Sequence, residues 1–128
     1  VMEVNSEFLA ANREVAADFM RASLHALQFC LDSSDECLDM IAQLAEDNGQ
    51  GSAFPREQLE RTWNVESQWV RDSKSGLPGA QTAADWEAEY ELVKKFGNVD
   101  SLPPITDMMD QTLVADLYAD GELIWPGN

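Results

Sequence analysis

The stretch of residues 13–31 constrains the fold of this chain more than any other part of the sequence. Its polar side chains recur at intervals of four, three, four and three residues and so share one narrow stripe of an α-helix: Glu14, Asp18, Arg21, His25 and Gln28. Nearly every other side chain in the stretch is apolar. A helix with so wide an apolar surface is packed on several sides, and we expect part of its cover to come from chain beyond this sequence.

Capping and helix-breaking residues predict the ends of the main helices. Asn12 is expected to be the N-cap of the helix over 13–31. The other signals are Ser33 with Glu36 as a capping box for a second helix, Asn48-Gly49 at its end, Pro55 at the start of a third, and Thr82 and Gly97 at the two ends of a fourth. The inward face of the second helix is expected to be Cys37, Leu38, Ile41, Leu44 and Ala45. The composition predicts a loop near 72–81, and one or two short helical segments follow between 107 and 121.

The first four residues, Val1 to Val4, alternate between apolar and polar side chains like a short β-strand. A single strand leaves its backbone groups unpaired, and the rest of the sequence offers no convincing partner strand. We therefore expect a mainly α chain that forms one helical segment over 1–128, with at most one short strand at the N-terminus. The partner of that strand would lie in sequence outside this chain.

The charge balance narrows the choice of partners. The sequence has 24 acidic and 8 basic residues, which gives a formal net charge of -16. Such a chain is disfavoured as a ligand for nucleic acid or for an anionic membrane. The acidic excess fits a basic partner, mimicry of nucleic acid, or solubility in a salty habitat. The sequence has no apolar run of about 20 residues that could span a bilayer, and its start at Val1 suggests a processed product or a piece of a longer polypeptide.

Few residues suggest chemistry. The single histidine, His25, falls on the polar stripe of the first helix and is expected to be a surface residue. Cys30 and Cys37 flank a predicted helix-helix turn, where a disulfide is geometrically conceivable, but their apolar positions favour buried free thiols. The sequence contains no metal-ligand spacing, phosphate-binding loop or catalytic motif. We expect neither a metal nor a cofactor, and no enzymatic activity.

The four tryptophans, Trp63, Trp69, Trp86 and Trp125, allow two interpretations. Large aromatic rings fill hydrophobic cores, or they form stacking walls for planar ligands. Core packing is the more common role. If the whole protein binds a flat heterocycle, Trp63 and Trp86 are the candidate ligand-binding residues.

Several segments together resemble the last third of the solute-binding proteins that serve ABC importers for thiamine precursors, riboflavin-like compounds, sulfonates and nitrate. The segment from Val1 to Val15 is similar to that family's strand, turn and long helix. Further similarities lie in Phe19 to Leu24, Leu31 to Glu36, Trp86 to Phe96 and Ile105 to Leu117. These are capping and core patterns of moderate specificity.

The chain departs from the family pattern in three places. Arg13 and Ser34 stand where proline is usual, and the region from Gln68 to Gln81 contains an additional polar loop. The two replacements are structurally mild, since proline merely favours the first turn of a helix.

The resemblance implies the helical C-terminal portion of a two-lobed α/β fold and a function as the substrate-binding component of an ABC transporter. It implies capture of a small solute, delivery to a membrane permease, and a periplasmic or extracytoplasmic location with a lipid anchor as one option. A helical piece of this kind is also expected to self-associate.

The net charge leaves an alternative function open, that of a small acidic protein-interaction protein of the immunity or nucleic-acid-mimic kind. A pyrimidine-synthesising enzyme of the same fold is a third option, although the cysteine and histidine clustering expected of it is absent.

Overall fold

The computed structural model of the chain describes residues 2–72 and 77–124 and is mainly helical. Its elements, in chain order, are α1 (Ser6–Ala11), α2 (Arg13–Asp32), α3 (Ser34–Asp47), α4 (Arg56–Arg71), α5 (Ala83–Phe96), α6 (Ile105–Met108), α7 (Gln111–Ala115), β1 (Tyr118–Ala119) and β2 (Glu122–Leu123). The mainly helical fold class is therefore confirmed. Within the described residues, no helix combines the length and the apolar character that crossing a membrane requires.

The chain divides into two compact units. The central unit is Asp18–Pro78, and the terminal unit combines Val1–Ala17 with Gly79–Asn128. The buried apolar residues of the central unit are Leu24, Leu31, Cys37, Leu38 and Ala45. Those of the terminal unit are Ala16, Leu113 and Leu117. Both cores are small, and many large apolar side chains remain exposed.

The N-terminal strand is a wrong prediction for the described residues. Residues 2–5 have no strand pairing, and α1 begins at once behind them. The side-chain oxygen of Asn5 accepts the backbone N–H of Phe8 at 3.0 Å and so caps α1. The alternation of Met2 and Val4 could produce a strand only beside a partner, and no neighbouring strand pairs with it. Val1 lies outside the described residues.

The long helix α2 is confirmed almost residue for residue, and Asn12 precedes it as predicted, but the side chain of Asn12 bonds to α1 instead of capping α2. The side-chain amide of Asn12 donates to the carbonyl of Phe8 at 3.1 Å, which closes the C-terminal end of α1. The Asn12 backbone carbonyl accepts the N–H of Ala16 and so starts α2. One residue thus serves two helices, because α1 ends where α2 begins.

The ends of α3 and α4 fall close to their predicted positions. Ser33 is the N-cap of α3 but makes no capping hydrogen bond with its side chain, so the predicted capping box with Glu36 is not formed. The hydroxyl of Ser34 donates instead to the carbonyl of Cys30 at 2.8 Å, which ties the turn to the end of α2. Gly49 stops α3 with a φ of 71°, a conformation that glycine adopts without strain. Pro55 lies one residue before α4 as its N-cap.

The predicted inward face of α3 is correct in part. Cys37, Leu38 and Ala45 are buried, whereas Ile41 and Leu44 are exposed. These two residues belong to the same broad apolar face, which the packing of α4 against α3 leaves covered only in part. Amphipathic spacing identifies an apolar face and does not show how much of that face a neighbouring helix covers.

The terminal unit contains α5 packed against α6, the short helix α7 and a β-hairpin. Helix α5 starts as predicted behind Thr82, whose backbone N–H and hydroxyl both donate to the Asp85 carboxylate at 2.8 and 2.9 Å. Gly97 is its C-cap, as expected. The prediction of one or two short helical segments between 107 and 121 is confirmed by α6 and α7, although α6 already begins at Ile105.

The hairpin of β1 and β2 was not predicted from the sequence. Its strands pair in an antiparallel register with Tyr118 opposite Leu123 and Ala119 opposite Glu122. The two-residue turn is Asp120-Gly121, with φ of 52° and 84°. An Asp-Gly pair with positive φ at both positions is the preferred sequence for a tight hairpin turn. This signal was present in the sequence, but strands of two residues are too short to show an alternating pattern. Trp125 lies outside the described residues.

Candidate functional site

Trp63, one of the two candidate ligand-binding residues, lies on α4 and is half-buried in the central unit. Its indole Nε1–H donates to the hydroxyl of Ser34 at 3.0 Å. Since Ser34 in turn donates to the carbonyl of Cys30, the ring is tied to the turn between α2 and α3. The polar edge of Trp63 is therefore used within the chain.

Trp86, the second candidate, lies on α5 in the terminal unit and is also half-buried. Its indole Nε1–H donates to the side-chain carbonyl of Gln81 at 3.0 Å. Gln81 is exposed, so a ligand could displace this bond more readily than the part-buried bond of Trp63. The two tryptophans belong to different units.

Cys30 and Cys37 form a disulfide, which corrects the prediction of free thiols. Their Cα atoms are 5.1 Å apart, well inside the range that a disulfide can bridge. Cys37 is buried, and an apolar position suits a disulfide as well as a thiol. The sequence pattern could not decide between them, because the tight turn between α2 and α3 sets the distance.

Helix α4 also contacts this turn between α2 and α3, which we call the disulfide-bonded corner. The guanidinium of Arg71, near the end of α4, donates to the backbone carbonyl of Leu31 in the last turn of α2. Helix α2 has no basic residue in its own last turn. Arg71 therefore supplies the cation that favours the negative end of the α2 dipole.

An ion-pair cluster in the terminal unit fixes the other end of α2. Arg13, the first residue of α2, binds Asp110 at 2.6 Å, Thr112 Oγ1 at 2.7 Å and Asp116 at 3.3 Å. Asp110 also caps α7, since its Oδ1 accepts the backbone N–H groups of Thr112 and Leu113. The Arg13 hydrogen bond, together with those from Thr112 and Leu113, holds the pKa of Asp110 far below its ordinary value, against a smaller opposing effect of burial. We call this cluster the Arg13 clasp.

The described residues contain no cluster of side chains suited to metal binding. His25 lies on α2 and is exposed, as predicted. Across residues 2–72 and 77–124, no three histidine, cysteine, aspartate or glutamate side chains come close enough together to hold a metal ion. The expectations of no enzymatic activity and no cofactor remain predictions.

A surface depression of about 420 Å³ lies along α5. Its lining residues are Ala88, Glu91, Leu92, Lys94, Lys95 and Phe96. All six belong to one helix, and Leu92 and Phe96 are largely exposed. The ammonium group of Lys95 lies 5.0 Å from the centre of the Phe96 ring. A depression on one helix surface does not enclose a small ligand as binding pockets do.

Several large apolar side chains of α2 and α3 are exposed. Phe19 on α2 is 66% exposed, although Leu24 is buried and Leu27 is half-buried. On α3, Met40 and Leu44 are 60% and 62% exposed, and Ile41 is 41% exposed. We call these three residues of α3 the α3 strip. Sequence reasoning placed two of them in the core and overlooked Met40.

Comparison with protein-family models, with curated proteins and with solved structures finds no match to this chain. The features that bear on function are therefore its own: the disulfide between Cys30 and Cys37, the exposed Phe19 on α2 and the α3 strip.

Proposed function

We propose that this chain is the helical part of a solute-binding component of an ABC importer. The observation that supports this proposal best is the exposure of Phe19 on α2. Phe19 is 66% exposed in the middle of a helix that is apolar over most of its circumference. Large exposed apolar surfaces are uncommon on isolated soluble domains and mark contacts with further structure. A second lobe of an α/β binding protein would supply such a contact.

The disulfide supports an extracytoplasmic location for this component. Disulfides form and persist in secreted and periplasmic proteins, whereas the cytosol keeps most thiols reduced. Cys30 and Cys37 are the only cysteines of the chain, and both are used in the bond. Oxidation at this corner agrees with a periplasmic or cell-surface importer component, with or without a lipid anchor.

Solute recognition would use Trp86 rather than Trp63. Trp86 is half-buried beside exposed Gln81, whereas Trp63 holds the turn between α2 and α3 through Ser34. A planar solute could stack on an indole ring of this kind. The solute classes remain those of the resembling family: thiamine precursors, riboflavin-like compounds, sulfonates or nitrate. Other walls of the cleft would come from the remainder of the protein.

Thermal unfolding of the intact protein in the presence of representative solutes tests this proposal. A ligand present at about 100 times its Kd adds about 2.7 kcal/mol to the free energy of unfolding, which raises the Tm by several degrees. We expect one of the four solute classes to give such a shift. If none of them changes the Tm, solute binding of this type is excluded.

A substitution pair tests the site itself. Trp86→Ala is expected to weaken binding of the active solute at least tenfold, because it removes the stacking surface. Trp69→Ala is the matched control, since Trp69 is 72% exposed on α4. Equal affinity of the two variants would remove Trp86 from the site.

A second candidate function is that of a small acidic protein-interaction protein. The observation that favours it is the α3 strip, three exposed apolar side chains on a helix that has five acidic residues and no basic one. Surfaces of this composition suit a basic protein partner. The thermal-shift experiment distinguishes the two candidate functions, because a protein-interaction protein would show no Tm shift with any of the small solutes.

A further inference from the structure

The α3 strip lies beside the buried residues that hold its helix in place. Cys37, Leu38 and Ala45 are buried in the central unit and anchor α3. Met40 and Leu44 lie one turn apart beside this buried face and are more than half exposed. The strip is therefore an apolar surface on an anchored helix, and nothing in the described part of the central unit covers most of it.

Acidic residues mark both ends of this strip. Glu36, Met40, Leu44 and Asp47 follow at intervals of four, four and three residues, so they share one side of α3. The two acids lie eleven positions apart, or about 16 Å along the helix axis. The strip thus has an acid at each end and apolar side chains between them.

These two acids have no ion-pair partner in the described structure. Arg56 binds two other acids of α3, Asp35 at 3.0 Å and Asp39 at 2.7 Å. Glu36 and Asp47 receive no such cation, and α3 has no lysine or arginine. The negative charge beside the strip therefore remains uncompensated.

Charge complementarity decides which occupant fits. A second copy of the chain would bring another net charge of -16 and an identical acidic border, which opposes association. An anionic membrane is disfavoured for the same reason. A helix with an apolar face and lysine or arginine at its borders matches both the strip and the two acids.

We propose that the α3 strip is a docking surface for a basic amphipathic helix of a partner protein. The partner's apolar face covers Met40, Ile41 and Leu44, and two basic side chains about eleven residues apart pair with Glu36 and Asp47. Met40 is a flexible, polarisable anchor that adapts to differently shaped partners. This binding site is separate from any solute site and does not depend on solute binding.

A synthetic helix tests the proposal directly. The probe is a fluorescein-labelled peptide of about 18 residues made of leucine, alanine and lysine, with leucines on one face and lysines at both borders. Binding to the intact protein is measured by fluorescence anisotropy at low and at physiological salt. A three-residue strip is expected to give a Kd on the order of 10 to 100 µM.

Substitutions in the strip separate apolar docking from general attraction. Met40→Gln with Leu44→Gln is expected to weaken binding at least tenfold, because both apolar anchors are lost. Val65→Gln with Leu92→Gln is the matched control, since both side chains are at least half exposed elsewhere. All four positions are exposed, and circular dichroism checks that each double variant keeps its helix content.

Neutralising Glu36 and Asp47 tests how much the two acids contribute to binding of the peptide. Glu36→Gln with Asp47→Asn is expected to weaken binding roughly three- to tenfold and to reduce its salt dependence. Glu87→Gln with Glu89→Gln is the control, because it removes the same charge from the exposed surface of α5. The control pair should change the Kd less than twofold.

Three results would overturn the proposal. One is binding that is equal in the strip variant and its apolar control. Another is equal binding of a peptide with the same composition but scrambled leucines, which would show unspecific attraction of cations to an acidic surface. The third is a concentration-dependent dimer in sedimentation that Met40→Gln with Leu44→Gln abolishes, because the occupant would then be a second copy of this chain.

Discussion

The two ends of α2 are fixed by different kinds of interaction. At the C-terminal end, in the central unit, a disulfide joins Cys30 to Cys37, and Arg71 donates to the Leu31 carbonyl. At the N-terminal end, in the terminal unit, the Arg13 clasp depends on the carboxylates of Asp110 and Asp116. One end therefore depends on the redox state of two cysteines and the other on the protonation state of acids.

The helix dipole explains why each end of α2 is stabilised by a charged side chain from elsewhere in the chain. Arg13 is a cation at the positive N-terminal end of α2, which is electrostatically unfavourable unless anions compensate it. Asp110 and Asp116 provide that compensation. At the opposite end Arg71 supplies the missing cation from α4. Residues from distant parts of the sequence therefore supply the charges that the two ends of α2 lack.

Opening the disulfide should have the largest effect. The bond closes a loop with a sequence separation of 7, and removing such a constraint costs about 2 to 3 kcal/mol of unfolding free energy. Urea unfolding with and without reductant measures this difference. Cys30→Ser with Cys37→Ser is the control, because reductant should leave its stability unchanged. Equal stability of the oxidised and reduced protein would show that the corner does not depend on its covalent bond.

Asp110→Ala should have the next largest effect, because it removes both the partner of Arg13 and the cap of α7. Loss of an N-cap alone costs about 1 kcal/mol. Urea unfolding at neutral pH measures the change. Asp107→Ala is the control, since Asp107 lies nearby in α6 and makes none of these contacts. Equal losses in both variants would contradict the clasp.

The pH dependence of the free energy of unfolding tests Asp110 in a second way. The folded state lowers the pKa of Asp110 from an ordinary value of 3.8, mainly through the hydrogen bond from Arg13. Its contribution is therefore fully present well above pH 3.8 and is lost as the pH falls below that value towards the folded pKa. Between pH 5 and pH 3 the wild-type protein should lose more stability than Asp110→Asn. Parallel curves for the two proteins would show that Asp110 is not responsible.

Trp63→Phe should have a smaller effect at the disulfide-bonded corner. The variant keeps an aromatic ring but loses the hydrogen bond from Nε1–H to Ser34, a loss of about 1 kcal/mol. Trp69→Phe is the control, because Trp69 is 72% exposed. If both variants unfold at the same urea concentration as the wild type, Trp63 does not stabilise the corner through its indole N–H.

Thr112→Val should have the smallest effect. The hydroxyl of Thr112 accepts from Arg13 at 2.7 Å and donates to Asp110 at 2.7 Å, both at an exposed surface. Loss of these bonds should cost about 0.5 kcal/mol. Thermal unfolding of Thr112→Val measures this loss, and Thr106→Val is the control. A loss as large as that of Asp110→Ala would mean that the hydroxyl, rather than the carboxylate, organises the clasp.

The local signals of the sequence predicted much of the helical structure. Helix α2, Thr82 before α5 and Asn48-Gly49 after α3 all lie where the pattern placed them. Such signals act over a few residues, since a helix turn and its cap are made by neighbours in the chain. The hairpin turn at Asp120-Gly121 carries a local signal of the same kind, although its strands were too short to reveal it.

The candidate site was less predictable. The sequence marked the α3 face as apolar but could not show that Met40 and Leu44 stay exposed, because this depends on where α4 packs. Trp63 and Trp86 were interchangeable as aromatic residues, and only their partners Ser34 and Gln81 distinguish them.

The sequence alone determined that this chain is mainly helical, strongly acidic and rich in apolar helix faces, because composition and periodicity are properties of the chain itself. Only the tertiary structure decided that Cys30 and Cys37 join, that Arg13 meets Asp110, and that Phe19 remains uncovered. Disulfide formation needs a short distance between the two cysteines, the ion pair joins residues 97 positions apart, and exposure depends on which helices pack together. Short-range patterns in a sequence specify none of these relations.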